Sequence, residues 1–232
     1  MKEELIDIKE AANYLSITEA AIRKLVEEGR IKTIRKGEKW KFNKNLIHDA
    51  LNYQLKSLKK EELASLEVNQ ENKPIFIHEI IKSQDTLLNL INNTKSKVLE
   101  ELVDLFTRRK NKSNRDILLK ALRDRERLCT TAITAGVAIP HPRRAIKNLV
   151  KKPFIAFARS KPGVDFESID GNLTYLFFLV CAPKDDIHLK IMARLSRLLR
   201  NYEFRKSLQE AETQEKIVEI IKEYELKDKI NL

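Results

Sequence analysis

One histidine in this sequence lies between two prolines, in the run Ile139-Pro140-His141-Pro142. Each proline fixes its own φ and keeps the residue before it out of the α region, so His141 is confined to extended backbone. An imidazole held in this way has lost much of its orientational freedom before a reactant arrives. Because a neutral imidazole nitrogen is a nucleophile, the motif predicts nucleophilic chemistry at His141.

Other residues could assist a charged group at this loop. A second histidine, His188, stands at the predicted start of a helix near Asp186, where the helix dipole favours an anion. Arg125 could neutralise negative charge through its planar, two-pronged guanidinium. Arg143 and Arg144 follow the loop directly, and we interpret them as a solvated face or a docking patch rather than as reactive groups.

These motifs together resemble a known family. The segments Arg125-Glu126 and Gly136-Val137-Ala138-Ile139-Pro140-His141, followed by His188-Leu189, are similar to the fructose/mannitol/nitrogen-type IIA domain of the bacterial phosphoenolpyruvate-dependent sugar phosphotransferase system. The resemblance implies that His141 carries a phosphoryl group received from the histidine-containing phosphocarrier protein. It also implies that His188 lies beside the phosphate and that Arg125 belongs to the site, and we add Thr131 as a hydrogen-bond donor.

Three positions depart from the family pattern. Ala132 and Thr134 stand where the family usually has glycines, and Pro142 stands where a small residue is common. Glycine reaches backbone conformations that other residues avoid, so we expect a stiffer loop here. The histidines and Arg125 remain, so an in-line phosphoryl transfer is still expected, as a carrier through phosphohistidine rather than as a turnover enzyme.

The chain length, the cysteine spacing and the apolar runs limit the class of protein that this sequence can encode. The 232 residues suit two modest domains, each with its own core. Cys129 and Cys181 show neither metal-ligand spacing nor a disulfide framework, which favours a reducing cytoplasm. The longest apolar run, residues 176–182, is too short to cross a bilayer, and no secretion signal is visible. We expect no membrane insertion, no metal and no cofactor.

The basic charge is concentrated locally near the N-terminus. The formal net charge is +11, but basic residues exceed acidic ones by 14 to 9 in residues 1–60 and by 30 to 21 in residues 74–232. Overall charge alone is therefore weak support for nucleic-acid binding. Residues 20–45 contain 9 basic and 3 acidic residues, a concentration that suits neutralisation of a phosphate backbone.

The first sixty residues predict a small helical module with a hairpin. Apolar spacing indicates a helix through Ala11, Ala12 and Leu15, and a second helix from Glu19 to Glu28 with Thr18 as N-cap and Gly29 as C-terminal stop. Residues 31–42 form two β-like runs that meet at Gly37, which predicts a hairpin with Trp40 and Phe42 on one face.

This pattern resembles the excisionase/MerR-like winged helix-turn-helix module over about residues 5–52. The resemblance implies binding to double-stranded DNA through the second helix and the wing. The candidate DNA-binding residues are Thr18, Glu19, Ala20, Arg23, Lys24, Arg35, Lys36, Lys39 and Lys41. The alternatives are a winged domain that binds protein instead and a winged domain that has lost its DNA contacts.

We divide the chain into a winged helix-turn-helix domain (1–58), a linker (59–73) and a IIA-like phosphoryl-acceptor domain (74–232). An apolar stripe from Leu46 to Leu58 either packs on the first domain or forms a two-chain seam, which leaves a homodimer open. In the last domain the patterns predict helices near 95–108, 115–122, 186–200 and 212–224, and strands at 153–158 and 173–180. This mixture predicts an α/β domain with a mixed sheet flanked by helices.

The two resemblances together predict a bacterial transcription regulator whose DNA binding responds to phosphorylation of His141. Two alternatives remain open at this point. One is a phosphoryl carrier for sugar uptake, in which the N-terminal module only docks other proteins. The other is a IIA-like sensor or binding protein that is never phosphorylated.

Overall fold

The computed structural model describes residues 5–15, 19–27, 29, 31, 33–36, 39–43, 47, 75–109, 114–133, 135–146, 148–168 and 170–230. The described residues fall into two compact units. Those within 1–75 together with 189–197 form the first unit, and those within 76–188 together with 198–232 form the second. The predicted linker, residues 59–73, lies outside the described residues, so its bounds stay a prediction.

The first unit contains two short helices and a three-stranded antiparallel sheet. Its elements are β1 (Leu5–Asp7), α1 (Ile8–Leu15), α2 (Glu19–Glu27), β2 (Ile34–Lys36) and β3 (Lys39–Asn43), with strand order β1-β3-β2. The two helices and the hairpin predicted from the sequence are confirmed. The strand β1 was not predicted; it pairs Ile6 with Phe42 on β3.

Local sequence explains where the helices of this unit begin and end. The Asp7 carboxylate accepts a hydrogen bond from the Glu10 backbone N–H, and the Glu10 carboxylate accepts one from the Asp7 N–H, each at 2.8 Å. This reciprocal capping box satisfies N–H groups that have no partner within the helix. After α2, Gly29 has φ +70° and donates its N–H to the Val26 carbonyl, so it is the helix stop that was predicted.

The core of the first unit is apolar and includes Ile6, Ala11, Ala12, Ile22, Ile31 and Phe42. Phe42 is fully buried and Trp40 packs partly buried against the same core, which confirms that these two side chains share a face. Residues two apart on a strand point to the same side, so Trp40 and Phe42 turn one face of the hairpin towards the core.

The second unit alternates strands with longer helices. Its strands are β4 (Thr86–Leu87), β5 (Ala132–Ile133), β6 (Val137–Ala138), β7 (Phe154–Val164) and β8 (Thr174–Cys181). Its helices are α3 (Ile77–Ile80), α4 (Lys95–Arg109), α5 (Arg115–Leu128), α6 (Asp185–Leu198), α7 (Tyr202–Glu210) and α8 (Gln214–Ile230), with part of α6 counted in the first unit.

The five strands form one mixed sheet in the order β4-β7-β8-β6-β5. The pairs β4–β7 and β6–β8 are parallel, whereas β7–β8 and β5–β6 are antiparallel. Residues 154–160 on β7 and 176–181 on β8 are buried without alternation, which requires cover on both faces of the sheet. The predicted α/β domain, with a mixed sheet flanked by helices, is therefore confirmed.

One face of the sheet packs on α4 and α5. Phe154, Ala156 and Ala158 of β7 share a core with Phe177 and Leu179 of β8. From the helices this core takes Val98, Leu99, Leu102, Val103, Leu105, Phe106, Leu118, Leu119 and Leu122. The inward residues predicted on the 95–108 helix are all among them.

Several features of this unit differ from the sequence prediction: strands β4, β5 and β6 were not predicted, and α8 continues past the predicted residue 224 to Ile230. Helix α5 was predicted to end at Leu122 but continues to Leu128, which places Arg125 on the helix instead of after it. Helix α7 was not predicted; Asn201 caps it, with its Oδ1 accepting the Phe204 N–H. Strand β7 continues past the predicted residue 158 to Val164 and changes register after Arg159.

Two polar side chains hold loops of this unit in place. The buried Arg159 guanidinium donates hydrogen bonds to the carbonyls of Leu88, Gln209 and Ala211 at 2.6–3.0 Å, and burial lowers its pKa. The exposed Asp170 carboxylate accepts hydrogen bonds from the Ser168 hydroxyl and the backbone N–H groups of Asn172 and Ala135. The bonds from Ser168 and Asn172 lower its pKa to about 2.

The turn between β5 and β6 shows where backbone freedom is needed. Ala135 has φ +65° and Gly136 has φ +73°, so the left-handed positions fall on these two residues. Ala132 lies inside β5 and pairs with Ala138, where glycine is not required. The departure at Ala132 is therefore compatible with this backbone, whereas Thr134 lies outside the described residues.

Candidate functional site

His141 lies at one edge of the mixed sheet. Strand β6 ends at Ala138, and the chain continues along β8, where the Val180 N–H donates a 3.0 Å hydrogen bond to the Pro140 carbonyl. Because β6 and β8 are parallel, their carboxyl ends meet at the same edge. His141 follows the first of these ends and helix α6 follows the second, so the topology brings the two segments together.

The His141 ring has one nitrogen fixed by the backbone. Its Nδ1 lies 2.7 Å from the Ile139 carbonyl oxygen. A carbonyl oxygen only accepts hydrogen bonds, so Nδ1 carries the proton and donates it. In the neutral ring the lone pair then lies on Nε2, which is the nitrogen available as a nucleophile. The side chain is 3% exposed.

The structure brings His188 next to His141. His188 lies in the first turn of α6, where its N–H donates to the Lys184 carbonyl at 3.0 Å. The centroids of the two imidazole rings are 4.9 Å apart, with their planes tilted by 42°. His188 is 4% exposed, so the two predicted histidines form one buried pair.

Asp185 joins the loop after His141 to the start of α6. Its Oδ1 accepts a 2.9 Å hydrogen bond from the Ala145 N–H. Arg143 and Arg144, in the same loop, are half-buried. This loop is therefore tethered at both ends, by β8 before His141 and by Asp185 after it.

Arg125 lies in the last turn of α5 and is 8% exposed. Its Nη1 donates a 2.8 Å hydrogen bond to the Cys129 carbonyl, which satisfies a carbonyl at the helix end. Its Nε is buried and makes no hydrogen bond to any residue that the structure describes. A buried N–H without a partner is costly, and an acceptor such as a phosphoryl oxygen would satisfy it.

Thr131 is buried, and its hydroxyl already donates a hydrogen bond to another side chain of the protein. It donates a 2.6 Å hydrogen bond to Glu126 Oε2, while the Thr131 backbone N–H donates to Glu126 Oε1 at 2.9 Å. The Thr131 carbonyl accepts the Ile139 N–H at 3.1 Å. In this structure Thr131 therefore holds the loop before His141 and has no hydroxyl proton left for a phosphoryl oxygen.

Glu126 is a buried carboxylate to which the sequence analysis gave no separate role. It also lies 3.1 Å from Lys95 Nζ, at the start of α4. In the sequence, residues 123–127 alternate in charge and resemble an exposed, ion-paired helix face. Because the structure extends α5 to Leu128, Glu126 lies in its C-terminal turn, where the helix dipole disfavours a negative side chain that has no specific partner.

The candidate DNA-binding residues of the first unit are only partly described. Glu19, Ala20 and Arg23 are exposed on α2, and Lys41 is half-buried on β3. The Arg23 guanidinium lies 5.3 Å from the centroid of the Trp40 ring. Outside the described part are Thr18 and the side chains of Lys24, Arg35, Lys36 and Lys39.

The remaining histidines, His48 and His78, have no neighbouring motif in the sequence that predicts a role. His78 donates its backbone N–H to Glu225 Oε2 and places its ring Nδ1 on the same oxygen, and the Ile77 N–H donates to Glu225 Oε1. Glu225 thus caps the start of α3 from α8. His48 lies outside the described residues.

Among the helices that the structure describes, none is long and apolar enough to span a bilayer.

Comparison with known proteins identifies both parts of the chain. Residues 79–224, more than half of it, match the family described as "Phosphoenolpyruvate-dependent sugar phosphotransferase system, EIIA 2". The chain belongs to this EIIA family. Residues 5–52 match a helix-turn-helix domain. The fusion expected from the sequence motifs is therefore confirmed, whereas the excisionase/MerR-like label stays a prediction.

Individual EIIA relatives support the same assignment. The chain is 36% identical over 132 residues to the "PTS system fructose-specific EIIA component" of Haloferax volcanii, covering 56% of this chain and 84% of that protein. It is 34% identical over 147 residues to the "Nitrogen regulatory protein" of Bradyrhizobium diazoefficiens, covering 62% and 94%. It is 36% identical to the "PTS system fructose-specific EIIABC component" of Bacillus subtilis, covering 64% of this chain but only 23% of that longer protein.

Solved structures show the EIIA fold as well. The nitrogen regulatory protein IIA-Ntr from Neisseria meningitidis superposes with a TM-score of 0.57 at 30% identity, covering 62% of this chain and 98% of that one. The Escherichia coli complex of enzyme IIAMtl and phosphorylated enzyme IIBMtl matches with a TM-score of 0.54 at 18% identity, covering 61% of this chain and 96% of the matched chain. The second match supports the fold alone.

Proposed function

We propose that this EIIA-family protein is a bacterial, cytoplasmic transcription regulator that binds DNA and accepts a phosphoryl group on Nε2 of His141. The donor is the histidine-containing phosphocarrier protein. The observation that carries the proposal is the 2.7 Å hydrogen bond from His141 Nδ1 to the Ile139 carbonyl. It leaves the Nε2 lone pair as the nucleophile, on a ring whose orientation the backbone fixes.

In the proposed transfer the Nε2 lone pair attacks the phosphorus of the donor phosphohistidine. A new P–N bond forms at His141 as the donor P–N bond breaks, and the electron pair of the broken bond returns to the donor imidazole. His141 keeps its Nδ1 proton on the Ile139 carbonyl throughout. Arg125 supplies positive charge and an unsatisfied Nε–H, and His188 supplies a second imidazole beside the first.

The burial of His141 bears directly on this step. His141 is 3% exposed in the described conformation, whereas in-line transfer needs Nε2 within reach of the donor phosphorus. The same observation favours one alternative, a IIA-like sensor that binds partners without being phosphorylated. The two candidates differ in a single measurable property, the modification of His141.

Labelling with ³²P distinguishes a phosphoryl acceptor from a sensor that is never phosphorylated. The protein is incubated with ³²P-phosphoenolpyruvate, the first enzyme of the phosphotransferase system and the phosphocarrier protein. We expect an acid-labile, base-stable label on wild-type protein and on His78→Gln, and none on His141→Ala. Equal absence of label from wild type and His141→Ala would favour the sensor, provided that a known EIIA protein is labelled in the same mixture.

The DNA-binding part rests on the helix-turn-helix match and on the exposed face of α2. A preferred site is first selected from random duplex DNA. Arg23→Ala should then weaken binding to that site by about 1–3 kcal/mol. Lys36→Ala should weaken binding to all duplexes and reduce the salt slope by about one. If neither substitution changes binding, DNA is not read by this surface.

Phosphorylation would connect the two functions through charge. A phosphoryl group adds about −1.5 to −2 charge at neutral pH. We expect the DNA affinity of the phosphorylated protein to differ from that of the unmodified protein, with His141→Ala insensitive to the labelling mixture. If no DNA is retarded and the protein restores sugar uptake to a cell that lacks EIIA, the chain is a phosphoryl carrier instead.

A further inference from the structure

Glu126 makes more contacts than an exposed helix position would require. It is 7% exposed, and both of its oxygens accept hydrogen bonds from Thr131, one from the hydroxyl and one from the backbone N–H. Lys95 Nζ, 3.1 Å from Oε1, compensates its charge. Burying a carboxylate at a helix C-terminus is unfavourable both for desolvation and for the helix dipole. Such a group is retained only where several partners hold it.

A series of hydrogen bonds connects Glu126 to the His141 ring. Glu126 holds Thr131, and the Thr131 carbonyl accepts the Ile139 N–H at 3.1 Å. The Ile139 carbonyl in turn accepts His141 Nδ1–H at 2.7 Å. Ile139, whose carbonyl selects the His141 tautomer, is therefore held through its own N–H by the residue that Glu126 fixes.

We propose that Glu126 is a positioning residue for His141, acting through Thr131 and Ile139. Its role is to hold the Ile139 carbonyl where it orients the imidazole and keeps the proton on Nδ1. The expected effect on the transfer rate rests on the proposed phosphoryl transfer. The Nδ1–H tautomer of His141 is expected in the unmodified protein as well, so it can be tested separately. Glu126 touches no reacting atom, so it is not a catalytic residue.

The kinetic test measures the rate of labelling at several phosphocarrier concentrations. Misplacing a nucleophile by about an ångström can cost about 100-fold in rate. We expect the maximal rate to fall about 100-fold in Glu126→Ala and about tenfold in Glu126→Gln, which keeps one oxygen for the Thr131 N–H. The half-saturating phosphocarrier concentration should not change, because a buried Glu126 does not face the partner. Asp124→Asn, an exposed carboxylate on the same helix, is the matched control and should transfer at the wild-type rate.

A second pair of variants separates positioning from folding. Thr131→Ser keeps the hydroxyl that donates to Glu126, whereas Thr131→Val keeps nearly the same volume and removes it. Thr131→Ser should keep the wild-type maximal rate of labelling, and Thr131→Val should lose it. Circular dichroism thermal scans establish that each variant is folded before it is compared. Equal maximal rates in wild type, Glu126→Ala and Thr131→Val would overturn the proposal.

The tautomer is read by ¹⁵N NMR of the imidazole nitrogens, which is tractable because the chain has four histidines. In unphosphorylated wild type we expect His141 protonated at Nδ1 alone, and in Glu126→Ala a mixture of both tautomers. If wild type shows the Nδ1–H form but is never labelled, the proposed function fails while the positioning role stands. If Glu126→Ala keeps the pure Nδ1–H tautomer, the positioning role is refuted.

Discussion

Gly136 permits a close approach between the turn before His141 and the ring of Tyr175. Its φ is +73°, and a Cβ built there would lie 2.9 Å from Tyr175 Cδ2 and 3.3 Å from the Leu173 carbonyl oxygen. The Gly136 carbonyl also accepts the N–H groups of Tyr175 and Leu176, which fixes the start of β6 against β8. Gly136→Ala therefore tests whether this contact supports the strand that leads to His141.

The expected cost has two parts. A left-handed backbone costs an alanine about 1–2 kcal/mol, of which about 0.4–1 kcal/mol is recovered because alanine restricts the unfolded chain. The overlap with the Tyr175 ring adds about 1–3 kcal/mol. Gly171→Ala is the matched control, since its φ of +70° is similar but nothing lies within 4 Å of the added Cβ. The difference between the two variants isolates the contacts of the added Cβ with Tyr175 and the Leu173 carbonyl.

Urea unfolding of the full chain provides the assay, followed by circular dichroism. Trp40, the only tryptophan of the sequence, lies in the first unit, so its fluorescence reports on that unit separately from the circular dichroism of the whole chain. We expect Gly136→Ala to be about 1–3 kcal/mol less stable than Gly171→Ala, or about 2–12 °C lower in Tm. Equal stabilities for the two variants would show that Tyr175 does not pack against Gly136.

Two further outcomes follow from buried and charged groups of the second unit. Arg159→Met should lower the free energy of unfolding by about 2–4 kcal/mol, because the buried carbonyls that Arg159 bonds lose their donor. Arg127 is exposed, so Arg127→Met should change the free energy of unfolding by less than about 0.5 kcal/mol. Urea titration measures both values. The Asp170 pKa lies near 2 in the folded protein against 3.8 in the unfolded chain, so its stabilising effect is complete above pH 3.8 and is lost as the pH falls through 2. The difference in urea midpoint between wild type and Asp170→Asn should therefore be constant near neutral pH and shrink below pH 4; a difference that grows on acidification would contradict this assignment.

Local patterns predicted most elements of the fold. The apolar spacing of Val98, Leu99, Leu102, Val103 and Leu105 marks one face of α4, and these residues are buried. Gly29 marks the end of α2 because a left-handed residue is needed there. The predictions were less accurate where local signals were weak. The helix was predicted to end at Leu122, yet α5 continues through residues 123–127, which include the buried Arg125 and Glu126.

The sequence alone determined the family, the two-part organisation and the prominence of His141, because short motifs and proline restraints act within a few residues of the chain. Only the tertiary structure decided what lies around that histidine. His188 is 47 positions away, and the parallel pairing of β6 with β8 brings it to a ring separation of 4.9 Å. The roles of Thr131 and Glu126 depended on hydrogen bonds formed after the chain has folded, and residue spacing does not encode the direction in which a hydroxyl or a carboxylate points.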